Sequence, residues 1–433
     1  MNSTKTQTDH PLRLALHNEV HARPPHPISP PLHIVHRVML CTPEQRQASR
    51  EHLHNLLRVH HCPIPDPASG HVRTELDGWV LRWEMHTEFV TWTFSRVIPD
   101  ISDVQLWQQH LHKPVPDHWL AGLPGEQLVH HHLWVLAQSS DRDAPDDLVR
   151  HLLREDTLVG SRIAQDAASV FTDLAMHGQG ETRALLLAGS VPARRLGRLV
   201  QHLVEIETYR MAALLGLPVA RSASVELSAA ERELGELASA IRTARKEDEA
   251  SLLDRLTRLA AQVEGRYAST HSRFSASRAY FELVDERIRD LAEHALPNLQ
   301  TLGEFLHRRL SPARNTCAWV ANREDALSQR ISRMSSLLRT RVEIEQQQGT
   351  QALLDAMGKR QALQLHLQST VEGLSVAAIS YYVVGLLGYL IKGFRPEGWP
   401  LSAELTLALL VPVVAALVWW SMRRLHHGIR VKL

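Results

Sequence analysis

Two unbroken apolar stretches lie near the end of the chain, while the apolar positions before them come at intervals. Residues 373–391 and 405–422 contain no Asp, Glu, Lys, Arg or His, and each matches the roughly 20 residues a helix needs to cross a bilayer. Both are apolar on every side, so the pattern predicts two transmembrane helices joined by KGFRPEGWPLSAE rather than surface helices. The link carries Lys392 and Arg395 against Glu397 and Glu404, whereas Arg423, Arg424, Arg430 and Lys432 follow the second stretch. By the positive-inside rule the basic tail of residues 423–433 is cytoplasmic, and so is the region before the hairpin. Trp399, Trp419, Trp420, Arg423 and Arg424 are the expected membrane-interface residues. The opening MNSTKTQTDHPLRLALHNEV holds no apolar segment suited to a secretory signal.

From about residue 221 to 370 the spacing changes to alternating threes and fours. Leu227, Ala230, Leu234, Leu237 and Ile241 form one stripe, Leu252, Leu256, Leu259 and Val263 a second, and Phe281, Val284, Ile288, Leu291 and Ala295 a third. Leu327, Ile331, Met334 and Leu338 continue the pattern. Each run gives a helix one apolar face, and the short, drifting heptads predict antiparallel hairpins in a coiled-coil-like stalk. Pro297 is expected to end one helix, and SPARN at 311–315 to break the chain before the next. From Trp319 to Ile391 one nearly continuous helix is expected, with Gly349 and Gly358 as weak points.

Residues 1–220 read differently. Strand-like runs occur at 32–40, 79–86, 89–97, 127–137, 169–176 and 182–189, and helical runs at 43–61, 146–155 and 192–216. Alternation in WVLRWEMH, and the glycine-containing turn in MHGQGETRALLL, point to a mixed or largely antiparallel sheet covered by helices. The fold class is therefore α+β, ordered as an α+β domain (1–220), a helical stalk (221–370), a transmembrane hairpin (371–422) and a basic tail.

Composition narrows the function. With 48 Lys+Arg against 47 Asp+Glu the net charge is +1, which argues against a protein built to grip nucleic acid. Hydrophobic residues at 44% exclude wholesale disorder. Cys41, Cys62 and Cys317 are far apart and form no CxxC pair, so no disulfide framework or cysteine zinc site is expected. Phosphate loops, dinucleotide fingerprints and nucleophile elbows are missing too, and no cofactor or catalytic residue is assigned. Histidine is abundant, at 27 residues. In HNEVHARP, His17 and His21 stand four apart, which places both on one face of a helix; with Glu19 and Arg23 they form the candidate ligand or metal contact. His130, His131 and His132 lie in an expected strand, where neighbours face opposite ways and all three cannot meet at one metal.

At HPLRLALHNEVHARP, LVQHLVEIETYRMAALLGLPVAR and VEGLSVAAISYYVVGLLGYLIKGF the chain resembles a bacterial family of membrane-anchored proteins with a domain of unknown function. The resemblance implies a cytoplasmic domain held at the inner membrane by C-terminal spans and assigns no activity. The layout is also similar to that of CorA-type magnesium channels. Their Gly-Met-Asn signature is missing, however, and GYLIKGF stands at the end of the first span. The leading expectation is a non-enzymatic, membrane-anchored interaction or scaffold protein, multi-pass and homo-oligomeric, whose partners are the bilayer and a cytoplasmic protein. A CorA-like cation channel is the alternative. A tethered enzyme using the His17–Arg23 segment is the third reading.

Overall fold

In the computed structural model, residues 10–14, 16–17, 25–67, 69–98, 117–138, 143–393 and 402–430 are described. The chain is mixed α+β. Among the described residues, nine strands form a single sheet in the order β2-β3-β4-β1-β5-β8-β7-β6-β9. They are β1 (Leu32–Leu40), β2 (His71–Leu76), β3 (Trp79–Met85), β4 (Phe89–Val97), β5 (Glu126–Ala137), β6 (Val159–Ile163), β7 (Ala168–Thr172), β8 (Thr182–Ala188) and β9 (His294–Ala295). All paired neighbours are antiparallel except β5 and β8. The ninth strand comes from between two long helices, so the sheet draws on the expected stalk as well as on the N-terminal region.

Strand alternation gives the sheet two apolar faces, each needing a cover. Helix α1 (Pro43–Val59) packs on one face, with Leu53, Leu56 and Leu57 against Trp83, Trp92 and Phe94. Thr42 starts it with a capping box, its hydroxyl bonded to the Gln45 amide and the Gln45 side chain returning to the Thr42 amide. The short α2 (Asp117–Ala121) adds Leu120 to this cluster. On the same face, Val149 and Leu152 of α3 (Asp143–Leu152) meet Trp134, Leu136, Leu185 and Leu187. The opposite face is covered by α4 (Ala193–Leu214) together with the end of α6 (Glu249–Leu291) and the start of α7 (Leu302–Gly393). There Leu199, Leu203, Phe281, Val284, Leu302 and Leu306 close over Ile34, Leu133, Val135 and Leu186.

The chain divides into two compact units, residues 1–245 with 251–335 and residues 246–250 with 336–433. Within the first, α5 (Gly216–Thr243), α6 and the first part of α7 pack together, and the expected stripe residues Leu227, Leu234, Leu256, Val263 and Ile331 are buried. Thr270 bonds Glu324 at 2.8 Å, and Ser328 bonds Glu264. Position rises along α6 as it falls along α7, so these two helices run antiparallel.

Two expected breaks are corrected. The helix does not break at SPARN: Pro312 lies inside α7, whose start is fixed ten residues earlier by a Thr301–Glu304 capping box. Glu293 Oε1 accepts from the Gly303 amide at 2.8 Å, adding a carboxylate at that helix N-terminus. The second long helix stops at Leu291, before Pro297, where Ala292 takes a positive φ of 48°, and Ala295, expected as the last member of its stripe, lies in β9 instead. In the second unit α7 runs on to Gly393, and α8 (Ala403–Arg430) returns with Leu407 against Gly388.

Candidate functional site

On the α4 side of the sheet a cavity of about 420 Å³ opens among β1, β3, β4, α4 and the segment that precedes β1. Strand register assembles its sheet wall. Arg73 pairs with Arg82, Arg82 with Thr93, Thr93 with His36, His36 with His131, and His131 with Thr182. Residues in register on adjacent strands share a face. One row of polar side chains therefore crosses six strands, and its first four members line the cavity.

The inner half of the row is buried and hydrogen-bonded. Thr208 donates its hydroxyl proton to the Val204 carbonyl at 2.9 Å, so it accepts from His36 Nε2–H at 2.9 Å. His36 Nδ1 is then the acceptor and receives the Thr93 hydroxyl at 2.8 Å. Thr182 likewise donates to Glu207 Oε1 at 2.8 Å and accepts from His131 Nδ1–H at 2.9 Å. Burial drives the His36 imidazole down to about 3, which keeps it neutral. Burial alone would raise the Glu207 carboxyl, yet Arg210, bonded to both its oxygens at 2.6 Å, holds it at about 2.

The outer half meets the cavity. Arg82 Nη2 bonds Glu84 Oε1 at 2.8 Å. On the helix side, Glu205 receives Gln201 at 2.7 Å and is paired with Arg287. The rim is set by Gly197. A Cβ there would collide with the His26 carbonyl, so glycine lets the segment from Pro25 cross α4 closely enough for Ile28 N–H to bond the Ala193 carbonyl at 3.0 Å. Gly197→Ala is expected to displace this strap and lower the melting temperature by several degrees, as overpacking costs about 1–3 kcal/mol. An unchanged melting curve would show that the strap is not held there.

The opposite face carries a second polar line. Arg37 donates toward His130 Nε2 at 3.4 Å, so His130 Nε2 accepts; His132 Nε2–H donates to it at 3.0 Å, and His33 Nε2–H donates to His132 Nδ1 at 3.0 Å. His33 stacks on Trp134 at 5.0 Å, and burial lowers it to about 4. His130 and His132 share this face while His131 takes the other, as alternation requires. These rings are hydrogen-bonded in a line rather than converging, and no cluster of three or more metal-ligating side chains occurs among the described residues.

Of the motif singled out in the sequence, His17 is exposed, while Glu19, His21 and Arg23 lie outside the described residues. Cys41 is buried, donating toward the Met39 and Pro124 carbonyls, and burial raises its thiol, which marks it as a packing residue. Trp419, Trp420 and Arg424 are exposed on α8; Trp399 and the Arg423 side chain lie outside the described residues. The cavity residues Arg73, Arg82, Thr91, Thr93, Glu205 and Arg287 were not singled out from the sequence. A signal for two of them was present: Asp77-Gly78, both at positive φ, is the hairpin turn that pairs β2 with β3 and so sets Arg73 opposite Arg82.

A family model described as "Protein of unknown function (DUF3422)" matches residues 8–429. No curated protein and no solved structure matches the chain, and the likeness of layout to CorA-type channels gains no support.

Proposed function

The chain belongs to the DUF3422 family of proteins of unknown function, and we propose that it is a membrane-anchored interaction protein of the bacterial inner membrane. The first compact unit, its head, faces the cytoplasm together with the basic tail, and the protein assembles with copies of itself. The observation that carries the anchor is exposure. Helices α7 and α8 each hold a window long and apolar enough to cross a membrane, with mean hydropathies of 1.9 and 2.1, yet only 6% of each window is buried. Leu374, Tyr381, Leu386, Leu409 and Leu417 all point outward. Water would penalise so large an apolar surface, whereas hydrocarbon solvates it and helices satisfy their own backbone groups there. Arg424 lies 4.8 Å over the Trp420 ring, a pairing suited to a headgroup layer.

Assembly is supported by the stretch of α7 before the first span. Every residue from Gln346 to Val371 is exposed, including Leu353, Leu354, Met357, Leu363 and Leu367. That is about 40 Å of lone helix at 1.5 Å per residue. A single helix in water is marginal, and these leucines gain most from burial against another helix. In a Cys62→Ser background, at least one of Leu353→Cys, Leu354→Cys and Met357→Cys is expected to give a disulfide-linked dimer on mild oxidation in membranes. Monomer from all three would remove self-assembly through this segment. The anchor is tested by alkaline carbonate washing of inverted inner-membrane vesicles, followed by protease. Retention in the pellet with digestion of the head is expected. Release into the wash, or a protected head, would overturn the reading.

A further inference from the structure

We propose that the cavity between the sheet and α4 is a binding site for a small organic anion, a carboxylate or phosphate ester with an apolar body. The site stands independently of the membrane anchor, since every residue in it belongs to the first compact unit.

Charge is the first argument. Arg73 and Arg82 face each other directly across β2 and β3, an arrangement that is destabilising unless something between them is negative. Glu84 supplies one carboxylate and is engaged by Arg82. Glu205 is engaged by Arg287. Arg73 has no ion-pair partner among the described residues, so the cavity keeps one guanidinium's charge in excess. Its planar fork of donors matches carboxylate and phosphate oxygens. The same excess charge reaches the strap: burial lowers the His26 imidazole, and the nearby Arg73 and Arg82 lower it further.

An orphaned hydroxyl is the second argument. Thr91 is 4% exposed and lines the cavity, and its Oγ1 has no hydrogen-bond partner among the described residues. A buried polar atom left so costs about 1–3 kcal/mol, and proteins rarely keep one without a use. Thr93, two residues on, has its proton committed to His36 and offers only lone pairs. The third argument is shape. The cavity falls within the range of about 300–1,000 Å³ typical of small-molecule sites. Ile28, Leu32, Ile34, Val97, Val200 and Val204 line it as an apolar wall. An anionic head at Arg73 and Arg82, a polar group at Thr91 and an apolar body along that wall would use all three features.

The experiment is calorimetric titration of the full-length protein in neutral phosphatidylcholine nanodiscs, so that no lipid anion competes. The probes are benzoate, phenyl phosphate, inorganic phosphate and the neutral benzyl alcohol. Benzoate or phenyl phosphate is expected to bind more tightly than both inorganic phosphate and benzyl alcohol, by about tenfold or more. Arg73→Gln, at an exposed position, should weaken the aromatic anion by about tenfold. Thr91→Val should weaken it without lowering the melting temperature, because it removes a hydroxyl that bonds nothing among the described residues. Benzyl alcohol binding as tightly as benzoate, wild-type affinity in both variants, or no anion binding at millimolar concentration would each overturn the proposal.

Discussion

Glu207→Ala is expected to destabilise the head by about 3–5 kcal/mol, the usual cost of removing one partner from a buried ion pair. Glu207 is 3% exposed, and the side chain of Arg210 that it neutralises is 12% exposed. Removing the carboxylate strands that guanidinium and takes away the acceptor for the Thr182 hydroxyl, which in turn orients His131. Denaturant unfolding followed by the fluorescence of the head tryptophans reads the loss directly. Glu236→Ala on the exposed side of α5 is the control and should stay within about 0.5 kcal/mol of wild type. Equal midpoints for the two variants would show that the buried chain contributes nothing to stability.

Mild acid is expected to unfold the head. His33 and His36 are held neutral by burial, at about 4 and about 3, and His132 is driven well below the ordinary histidine value of 6.5. Below pH 6.5 the unfolded chain takes up protons at these rings while the folded chain does not. Stability is therefore complete above about pH 6.5 and is lost as pH falls toward 3–4. At pH 5 the loss is about 2 kcal/mol for each of His33 and His36, at 1.36 kcal/mol per unit. Glu207 acts in a lower window. Its folded value of about 2 lies beneath its ordinary 4.5, so its contribution holds above 4.5 and is lost as pH drops through 2. The decline between pH 6.5 and 5 thus belongs to the histidines. Equal denaturation midpoints at pH 7.5 and pH 5 would contradict the neutral assignment.

The sheet's larger strands, the main helices and the exposed apolar ends were legible because they repeat a period over many residues. LHIVHRVML, WVLRWEMH and FVTWTFSRV became β1, β3 and β4 with boundaries moved by a residue at most. Three strands were missed, among them the two-residue β9, whose Ala295 continued the spacing of a helical stripe. HVRTEL alternates weakly and carries charge on the face that becomes the cavity wall, and VGSRI is short and has at its second position Gly160, whose lack of Cβ admits Leu299 and Phe171. SPARN looked like a break because proline lacks an amide hydrogen. Ten residues of helix before it, anchored by Leu302, Leu306 and Leu310 in the core, outweigh that local preference. The cavity could not be read in advance, since it depends on which strands neighbour one another, and β1 reaches β4 and β5 only through long-range pairing.

The single parallel junction in the sheet, between β5 and β8, is also where the His131–Thr182 bond crosses. No tight turn links these strands to set their alignment, so their register rests on side-chain packing and on the bonds that cross the junction. Here a slip of one residue would leave His131 facing Arg183 rather than Thr182 and would take from Glu207 the hydroxyl that donates to it. The bonded polar chain therefore acts as a key that fits one alignment only, and it joins the two halves of the sheet in that one way.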